Sequence, residues 1–186
     1  MEGVFGITGS PGTGKKSVAP LVAAKLGLGC YGLNDLARSF GLLESPDGSV
    51  DTDALRRRLR TFERHVVFYG HLLPYVVERD AVSKVAVLRC EPSALKLRLK
   101  KRGYPKEKVV ENVEAELIGL ESYDAFEAFG PDRTFEVDTT RSTPAESAEK
   151  ILSTLNGRRL PGSPLDWESI YDTGAKLRSL LSTDDS

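Results

Sequence analysis

A glycine-rich run near the start of the chain combines the residue types that bind phosphate groups. It reads Gly9-Ser10-Pro11-Gly12-Thr13-Gly14-Lys15-Lys16-Ser17. Glycines allow successive backbone N–H groups to approach a phosphate closely, and a lysine ammonium can bridge the β- and γ-phosphates of a nucleoside triphosphate. The residues predicted to bind ATP are therefore Gly12, Thr13, Gly14, Lys15, Lys16 and Ser17. Lys15 is also predicted to be catalytic, because its charge stabilises the phosphoryl group in transfer.

The same run implies a magnesium ion, since nucleoside triphosphates are used by proteins as magnesium complexes. The usual pattern has Ser or Thr directly after the lysine as a metal ligand, but Lys16 occupies that position. Ser17 is the next hydroxyl group along the chain. It is predicted to contact either a phosphate or a hydrated Mg²⁺.

The elements that must position this run follow from the alternation of short apolar segments with longer segments of helical period. This alternation predicts an α/β fold with a central five-stranded parallel sheet flanked by helices. The predicted strands are residues 4–8, 30–33, 65–69, 84–89 and 134–137, and the predicted helices are residues 14–26, 52–64, 92–102, 105–126 and 144–155. The glycine-rich run thus falls between the first strand and a helix amino terminus, which favours anions. Pro20 lies past the first turn of that helix and is expected to kink it.

Bulk properties exclude several classes of protein. The chain has 186 residues, 40% of them hydrophobic, and a net charge of −1, so no global field attracts nucleic acid or acidic membranes. No apolar stretch reaches the roughly 18 residues of a membrane span, and the first apolar run is too short for a signal peptide. A cytoplasmic location is therefore expected, with neither a membrane nor DNA as partner. Cys30 and Cys90 are isolated in apolar runs, which predicts buried free thiols.

Two arginines in the predicted helix 92–102 are candidates for a catalytic role. Arg98 and Arg102 are four residues apart, so both lie on one helix face and could point at the phosphates. Arginines placed there stabilise the charge that spreads over a migrating phosphoryl group. Arg102 is also predicted to bind ATP. The alternative is a solvated basic helix face.

Three motifs resemble nucleoside monophosphate kinases. The form Gly9-x-Pro11-Gly12-x-Gly14-Lys15-x-Ser17 is similar to the P-loop of those enzymes, and Asn34-Asp35-Leu36-Ala37-Arg38 looks like the segment that opens the acceptor-nucleotide site of adenylate kinases. The run Leu99-Lys100-Lys101-Arg102-Gly103-Tyr104 resembles the short lid of the adenylate kinase isoenzyme 6 family. That family includes a coilin-interacting nuclear ATPase of eukaryotes and archaeal relatives, and the match spans about residues 4–155.

This resemblance implies transfer of the ATP γ-phosphate to AMP or a similar nucleoside monophosphate, with slow ATP hydrolysis. Asp35 and Arg38 would bind the acceptor. The implied organisation is a P-loop kinase-like domain at 1–156, an acceptor-nucleotide region at about 32–60, a lid without zinc at about 101–112, and a tail at 157–186. The resemblance also implies late maturation of the small ribosomal subunit (16S rRNA), with a small-subunit ribosomal protein and pre-ribosomal RNA as partners.

Two other classes of function stay open. One is a nucleotide-switched ribosome assembly ATPase whose kinase activity is incidental, and the other is a nucleotide-binding module without turnover. Tyr69 favours the switch, because P-loop enzymes usually carry an acid at the end of this strand and the family pattern Asp-x-His is matched here only by His71. His71 is predicted to orient a water or a phosphate oxygen, with a capping or core role as the alternative.

Two further segments allow more than one interpretation. The loop at Thr139 and Thr140 either borders the adenine or caps the helix that follows. The tail carries Gly157, Pro161, Gly162 and Pro164, and then an apolar segment around Trp167. That segment either packs back on the domain, which is the commoner outcome, or grips a partner.

Overall fold

Five strands form one sheet in which every neighbouring pair is parallel. A computed structural model describes residues 3–43, 49–157, 165–171 and 173–182. The strands are β1 (Val4–Thr8), β2 (Gly29–Gly32), β3 (Val66–Tyr69), β4 (Val82–Arg89) and β5 (Thr134–Asp138), in the order β2-β3-β1-β4-β5. All five residues of β1 are buried, as expected for a parallel strand covered on both faces. The predicted five-stranded parallel sheet is confirmed.

Helices cover both faces of the sheet. They are α1 (Lys15–Leu26), α2 (Leu33–Ser39), α3 (Thr52–Leu59), α4 (Leu73–Val76), α5 (Pro92–Lys101), α6 (Lys106–Leu117), α7 (Leu120–Phe129), α8 (Pro144–Leu155) and α9 (Gly174–Leu181). Helices α1 and α8 pack on one face, whereas α2, α3, α4 and α7 pack on the other. None of the described helices is both long and apolar enough to cross a bilayer.

The predicted elements differ from the observed ones in several places. The predicted helix 105–126 is two helices, because Gly119 adopts a left-handed conformation (φ 70°) between α6 and α7. The predicted helix 52–64 ends at Leu59, and Leu33 begins α2 instead of closing β2. Helix α1 is continuous across Pro20, and the kink expected there stays a prediction. The short helices α2 and α4 were not predicted, since four to seven residues carry too little periodicity.

Residues 165–171 and 173–182, called the docked segment below, pack against α5 and α6. Trp167 and Leu180 are almost fully buried there, in one cluster with Cys90, Leu95 and Val113. Packing is thus the observed alternative for this part of the tail, while Pro161, Gly162 and Pro164 lie outside the described residues. The division into a domain at 1–156 and a tail stays a prediction. Both cysteines are free, but Cys30 is only half-buried, so its predicted burial is wrong.

Candidate active site

The phosphate-binding loop between β1 and α1 can be built only with glycine at its turns. Gly9, Gly12 and Gly14 have φ values of 133°, 95° and 108°, a region that other residues rarely adopt. A Cβ atom on Gly9 would lie 2.2 Å from the Leu88 carbonyl oxygen. The loop is therefore held close against β4, at the carboxyl end of the sheet where ligands of α/β folds bind.

Lys15 begins α1 and folds back over the loop. Its Nζ donates hydrogen bonds to the carbonyl oxygens of Gly9 and Ser10, the latter at 3.0 Å. Burial lowers the pKa of Lys15 to about 8, the carboxylates of Glu121 and Glu116 oppose that shift, and Arg102 adds to it. The ammonium thus lies at the loop, inside a cluster of charged groups that come from distant parts of the chain.

A cavity of about 450 Å³ opens beside the loop. Its lining includes Gly12, Gly14 and Ser17 from the loop and the start of α1, together with Arg98 and Arg102. The structure therefore brings the predicted ATP-binding loop and the two predicted arginines to the same cavity. A loop of backbone N–H groups in the same cavity as two guanidinium groups is an arrangement that binds polyphosphates.

The two arginines differ in their contacts. Arg98 donates hydrogen bonds to the carbonyl oxygens of Thr139, at 2.7 Å, and Thr140, at 2.9 Å. The Arg102 guanidinium is exposed and makes no hydrogen bond or ion pair within the described part of the chain. Arg98 is thus built into the cavity wall, whereas Arg102 is free to bind an anion.

Thr139 connects this wall to the loop. Its hydroxyl lies 2.9 Å from the carbonyl oxygens of Thr13 and Arg89, which both can accept its hydrogen. The cap of α8 is Thr143, which forms a capping box with Glu146. The capping interpretation of Thr139 and Thr140 is therefore wrong, and Thr139 lines the cavity.

The predicted acceptor residues lie on α2, across the sheet from the cavity wall. Asp35 and Arg38 form an exposed ion pair of 3.0 Å. Tyr69 is close to them, because its phenolic oxygen and a carboxylate oxygen of Asp35 both lie 2.9 Å from where a Cβ atom on Gly32 would be. Burial, and after it the charge of Asp35, raises the pKa of Tyr69. Tyr69, which stands where the family pattern has an acid, thus borders the predicted acceptor region.

His71 follows β3 and is half-buried. Burial lowers the pKa of its imidazole, and the positive charge of Lys15 lowers it further. The ring is therefore neutral at pH 7 and within electrostatic reach of Lys15. A neutral imidazole can both donate and accept a hydrogen bond, as the predicted role of orienting a water or phosphate oxygen requires.

Two carboxylates at the loop were not predicted to act there. Thr8 Oγ1 donates to Glu121 Oε2 at 3.3 Å, and Ser10 Oγ donates to Glu116 Oε2 at 2.6 Å. Burial raises the pKa of Glu121, while the Lys15 charge lowers it. Both glutamates lie in a run with many acidic residues, so composition does not distinguish them from exposed ones. In the sequence, Gly119 is the one nearby signal that the helix could end and the chain could turn back toward the loop.

The donor groups at the site fit a magnesium ion held mainly by phosphates. No group of three or more His, Cys, Asp or Glu side chains suited to a metal occurs among the described residues. Ser17 is exposed at the cavity, and Glu121 supplies a carboxylate at the loop. Oxygen ligands of this kind, few in number, are what Mg²⁺ uses when a nucleotide supplies the rest.

Comparison with known proteins gives concordant matches in sequence. Residues 6–119 match a family described as an AAA domain. A protein of Thermococcus kodakarensis named "Putative adenylate kinase" is 37% identical, over 91% of this chain and 95% of its own. A protein of the same name from Methanosarcina acetivorans is 38% identical, over 88% of this chain and 97% of its own.

Solved structures of small-molecule kinases share the fold. A shikimate kinase from Bacteroides thetaiotaomicron superposes with a TM-score of 0.58 at 17% identity, over 82% of this chain and 98% of that one. A gluconokinase from Sinorhizobium meliloti superposes with a TM-score of 0.54 at 21% identity, over 83% and 92%. At these identities the likeness concerns the fold alone.

Proposed function

This chain belongs to the archaeal adenylate kinase family, and from that premise we propose that it transfers the γ-phosphate of Mg-ATP to AMP or a similar nucleoside monophosphate. The observation that carries the proposal is the position of Lys15. Its ammonium is coupled electrostatically to Arg102, to His71 and to Glu121, which come from three different elements of the fold. These groups act on the lysine of a glycine-rich loop whose backbone N–H groups can hold a triphosphate.

In the proposed donor complex the phosphates lie on the loop amides at the amino terminus of α1. Lys15 moves from the carbonyl oxygens of Gly9 and Ser10 to the β- and γ-phosphates, which offer it full negative charges. Arg102 reaches the same phosphates from the lid, and the nucleoside occupies the cavity between Ser17 and Arg98. Ser17 would hold a bound magnesium ion, whose charge would help to neutralise that of the phosphates.

The acceptor approaches from α2. Arg38 would bind its phosphate and Asp35 its nucleoside part, which requires their mutual ion pair to open. An oxygen of the acceptor phosphate then attacks the γ-phosphorus of ATP, and the bond to the bridging oxygen of the β-phosphate breaks to release ADP. No side chain forms a covalent bond. Positioning and charge stabilisation supply the catalysis.

We also propose roles for the two groups on the acceptor side of Lys15. Neutral His71 holds an acceptor or γ-phosphate oxygen by a hydrogen bond. Glu121 takes the place of the acid that is missing at Tyr69. Its carboxylate reaches the end of β1, where Oε2 accepts a hydrogen bond from Thr8. A carboxylate there can orient water around a magnesium ion.

ATP hydrolysis is the second candidate activity. The side chains of Arg38 and Asp35 are 65% and 62% exposed, so water has access to the acceptor side when no nucleotide covers it. A nucleotide-switched role in maturation of the small ribosomal subunit, with a ribosomal protein and pre-ribosomal RNA as partners, is a proposal that rests on the family resemblance.

Product analysis tests these proposals. The protein is incubated with Mg-ATP, with and without AMP, while ADP, AMP and free phosphate are measured together. ADP formed as AMP is consumed, without phosphate, supports the kinase. Phosphate released at the same rate with and without AMP contradicts it and favours the ATPase switch. Lys15→Ala supplies the background, and Arg38→Ala should lose AMP-dependent turnover, whereas Arg57→Ala on α3 should retain it.

A further inference from the structure

Ser10 is the residue around which the phosphate-binding loop is organised. Its carbonyl oxygen accepts hydrogen bonds from the Thr13 hydroxyl at 2.8 Å and from Lys15 Nζ at 3.0 Å. Its own side chain is fully buried and donates to Glu116 Oε2 at 2.6 Å. The position of Glu116 therefore fixes Ser10, and through its carbonyl group the residues that contact phosphate.

Glu116 is itself held by three donors, two from the end of β4 and one from the docked segment. Its Oε1 accepts from Arg89 Nε at 2.7 Å, from the Cys90 backbone N–H at 3.0 Å and from Trp167 Nε1 at 3.2 Å. The carboxylate is 1% exposed, so water cannot replace a donor that is lost. A fully desolvated charge of this kind depends strongly on each hydrogen bond that it receives.

Trp167 belongs to the docked segment, which lies about fifty residues after Glu116 in the chain and outside the motifs of the loop and lid. Its indole ring also lies over the Arg89 guanidinium, 6.0 Å from ring centroid to Cζ. A second contact of the segment, from Tyr171 to Glu91 at the start of α5, does not involve Glu116. Among the described contacts of the segment, the Trp167 indole donates directly to Glu116, whereas the Leu165 backbone N–H donates to Glu136, which shares Arg89 with Glu116.

We propose that Glu116 is a positioning residue that couples the docked segment to the phosphate-binding loop, so that docking of this segment and ATP binding stabilise each other. One carboxylate oxygen of Glu116 accepts a hydrogen bond from Trp167, and the other accepts one from Ser10. The inference rests only on ATP binding to the loop, which is the first part of the proposed function, and not on the acceptor. Such coupling is reciprocal by thermodynamic necessity.

A double-mutant cycle on ATP affinity tests the coupling. Trp167→Phe keeps the aromatic ring over Arg89 but removes the indole N–H, and Ser10→Ala removes only the hydroxyl. Ser10 and Trp167 share Glu116 as their partner. Each single variant should weaken ATP binding on the order of threefold or more, and the double variant should weaken it by clearly less than the product of the two.

Tyr171→Phe is the matched control, because it removes a hydrogen bond of the same segment that does not reach Glu116. Its ATP affinity should equal that of the wild type, and its effect should multiply independently with that of Ser10→Ala. Equal weakening by Trp167→Phe and Tyr171→Phe, or independent effects of Ser10→Ala and Trp167→Phe, would overturn the proposal. Melting temperatures confirm that each variant is folded at the temperature of the titration.

Hydrogen exchange in the full-length chain tests the reciprocal direction. Saturating Mg-ATP should slow amide exchange in the docked segment of the wild type, and this protection should shrink in Ser10→Ala at equal saturation. Exchange that is the same with and without ATP would contradict the coupling. Both experiments omit AMP, so a protein that binds ATP without phosphorylating AMP would refute the kinase proposal while these affinities still decide the present one.

Discussion

Arg98 donates a hydrogen bond of 2.7 Å to the carbonyl oxygen of Thr139, which joins α5 to the loop after β5. The arginine is therefore part of the cavity wall before any ligand arrives. Arg102, one helical turn later, has no such partner among the described residues. The two arginines, for which the sequence predicts the same catalytic role, thus differ in their contacts: Arg98 forms part of the cavity wall, and Arg102 is exposed at the same cavity.

The first prediction separates these roles by kinetics. Arg102→Ala should lower kcat by about 100-fold with a small effect on the KM for ATP, because a cation that stabilises transferring charge acts mainly in the transition state. Arg98→Ala should mainly raise the KM for ATP, since the cavity wall loses its tie to Thr139. Arg57→Ala, an exposed change on α3 outside the cavity lining, is the control with near wild-type kinetics. An Arg57→Ala enzyme as impaired as Arg102→Ala would refute a specific role for Arg102.

The second prediction concerns the loop lysine. Lys15→Ala should weaken ATP binding by about 100-fold or more, because hydrogen bonds from a charged donor to phosphate are lost. The fold should be retained, with a melting temperature close to that of the wild type. Lys25→Ala, an exposed change at the other end of α1, is the control, and calorimetric titration with ATP measures both. An unchanged ATP affinity in Lys15→Ala would show that the loop is not the ATP-binding site.

The third prediction follows from the pKa of about 8 for Lys15. In the free protein the ammonium loses its proton above that pH, whereas bound phosphates favour the charged form and raise its pKa. ATP binding should therefore take up close to one proton at about pH 9 and almost none at about pH 6.5. Calorimetry in buffers of different ionisation enthalpy measures this uptake. Lys15→Ala provides the background, and proton release at the higher pH would contradict the assignment.

The fourth prediction tests Glu121. Because its carboxylate raises the pKa of Lys15, Glu121→Gln should shift the alkaline loss of ATP affinity to lower pH. It should also lower kcat by about tenfold and raise the magnesium concentration needed for half-maximal rate, if the carboxylate orients water at the metal. Glu127→Gln, an exposed change on the same helix, should alter none of these. If the pH dependence of ATP affinity is the same in Glu121→Gln and the wild type, Glu121 does not act on Lys15.

The fifth prediction concerns stability. Arg89 donates to Glu116 and Glu136, with all three side chains no more than 2% exposed. Arg89→Met should lower the free energy of unfolding by about 3–5 kcal/mol, because it leaves buried carboxylates without their cation. Lys84→Met, an exposed change on the same strand, should stay within about 0.5 kcal/mol of the wild type. Urea unfolding compares the two, and equal losses would mean that the network contributes no more than a surface contact.

Some features of the molecule could be predicted from local sequence, because local physics decides them. The phosphate-binding loop is contiguous, and its glycines, lysine and serine have roles set by backbone geometry and charge within nine residues. Strand β1 is a short run in which all five residues are buried, as in a parallel strand covered on both faces. The helix break at Gly119 was missed, because a glycine within a helical pattern does not by itself indicate a left-handed turn.

The rest of the site depends on side chains that are far apart in the chain. Ser10 and Glu116 are separated by 106 residues, and Thr8 and Glu121 by 113. The sequence by itself determined that a phosphate-binding loop follows the first strand of a parallel sheet, because that loop is a local structure. Only the tertiary structure decided which glutamates reach the loop, which arginine is free and where Trp167 docks. Burial and hydrogen-bond partners are properties of the packed chain, and they cannot be deduced from residue type alone.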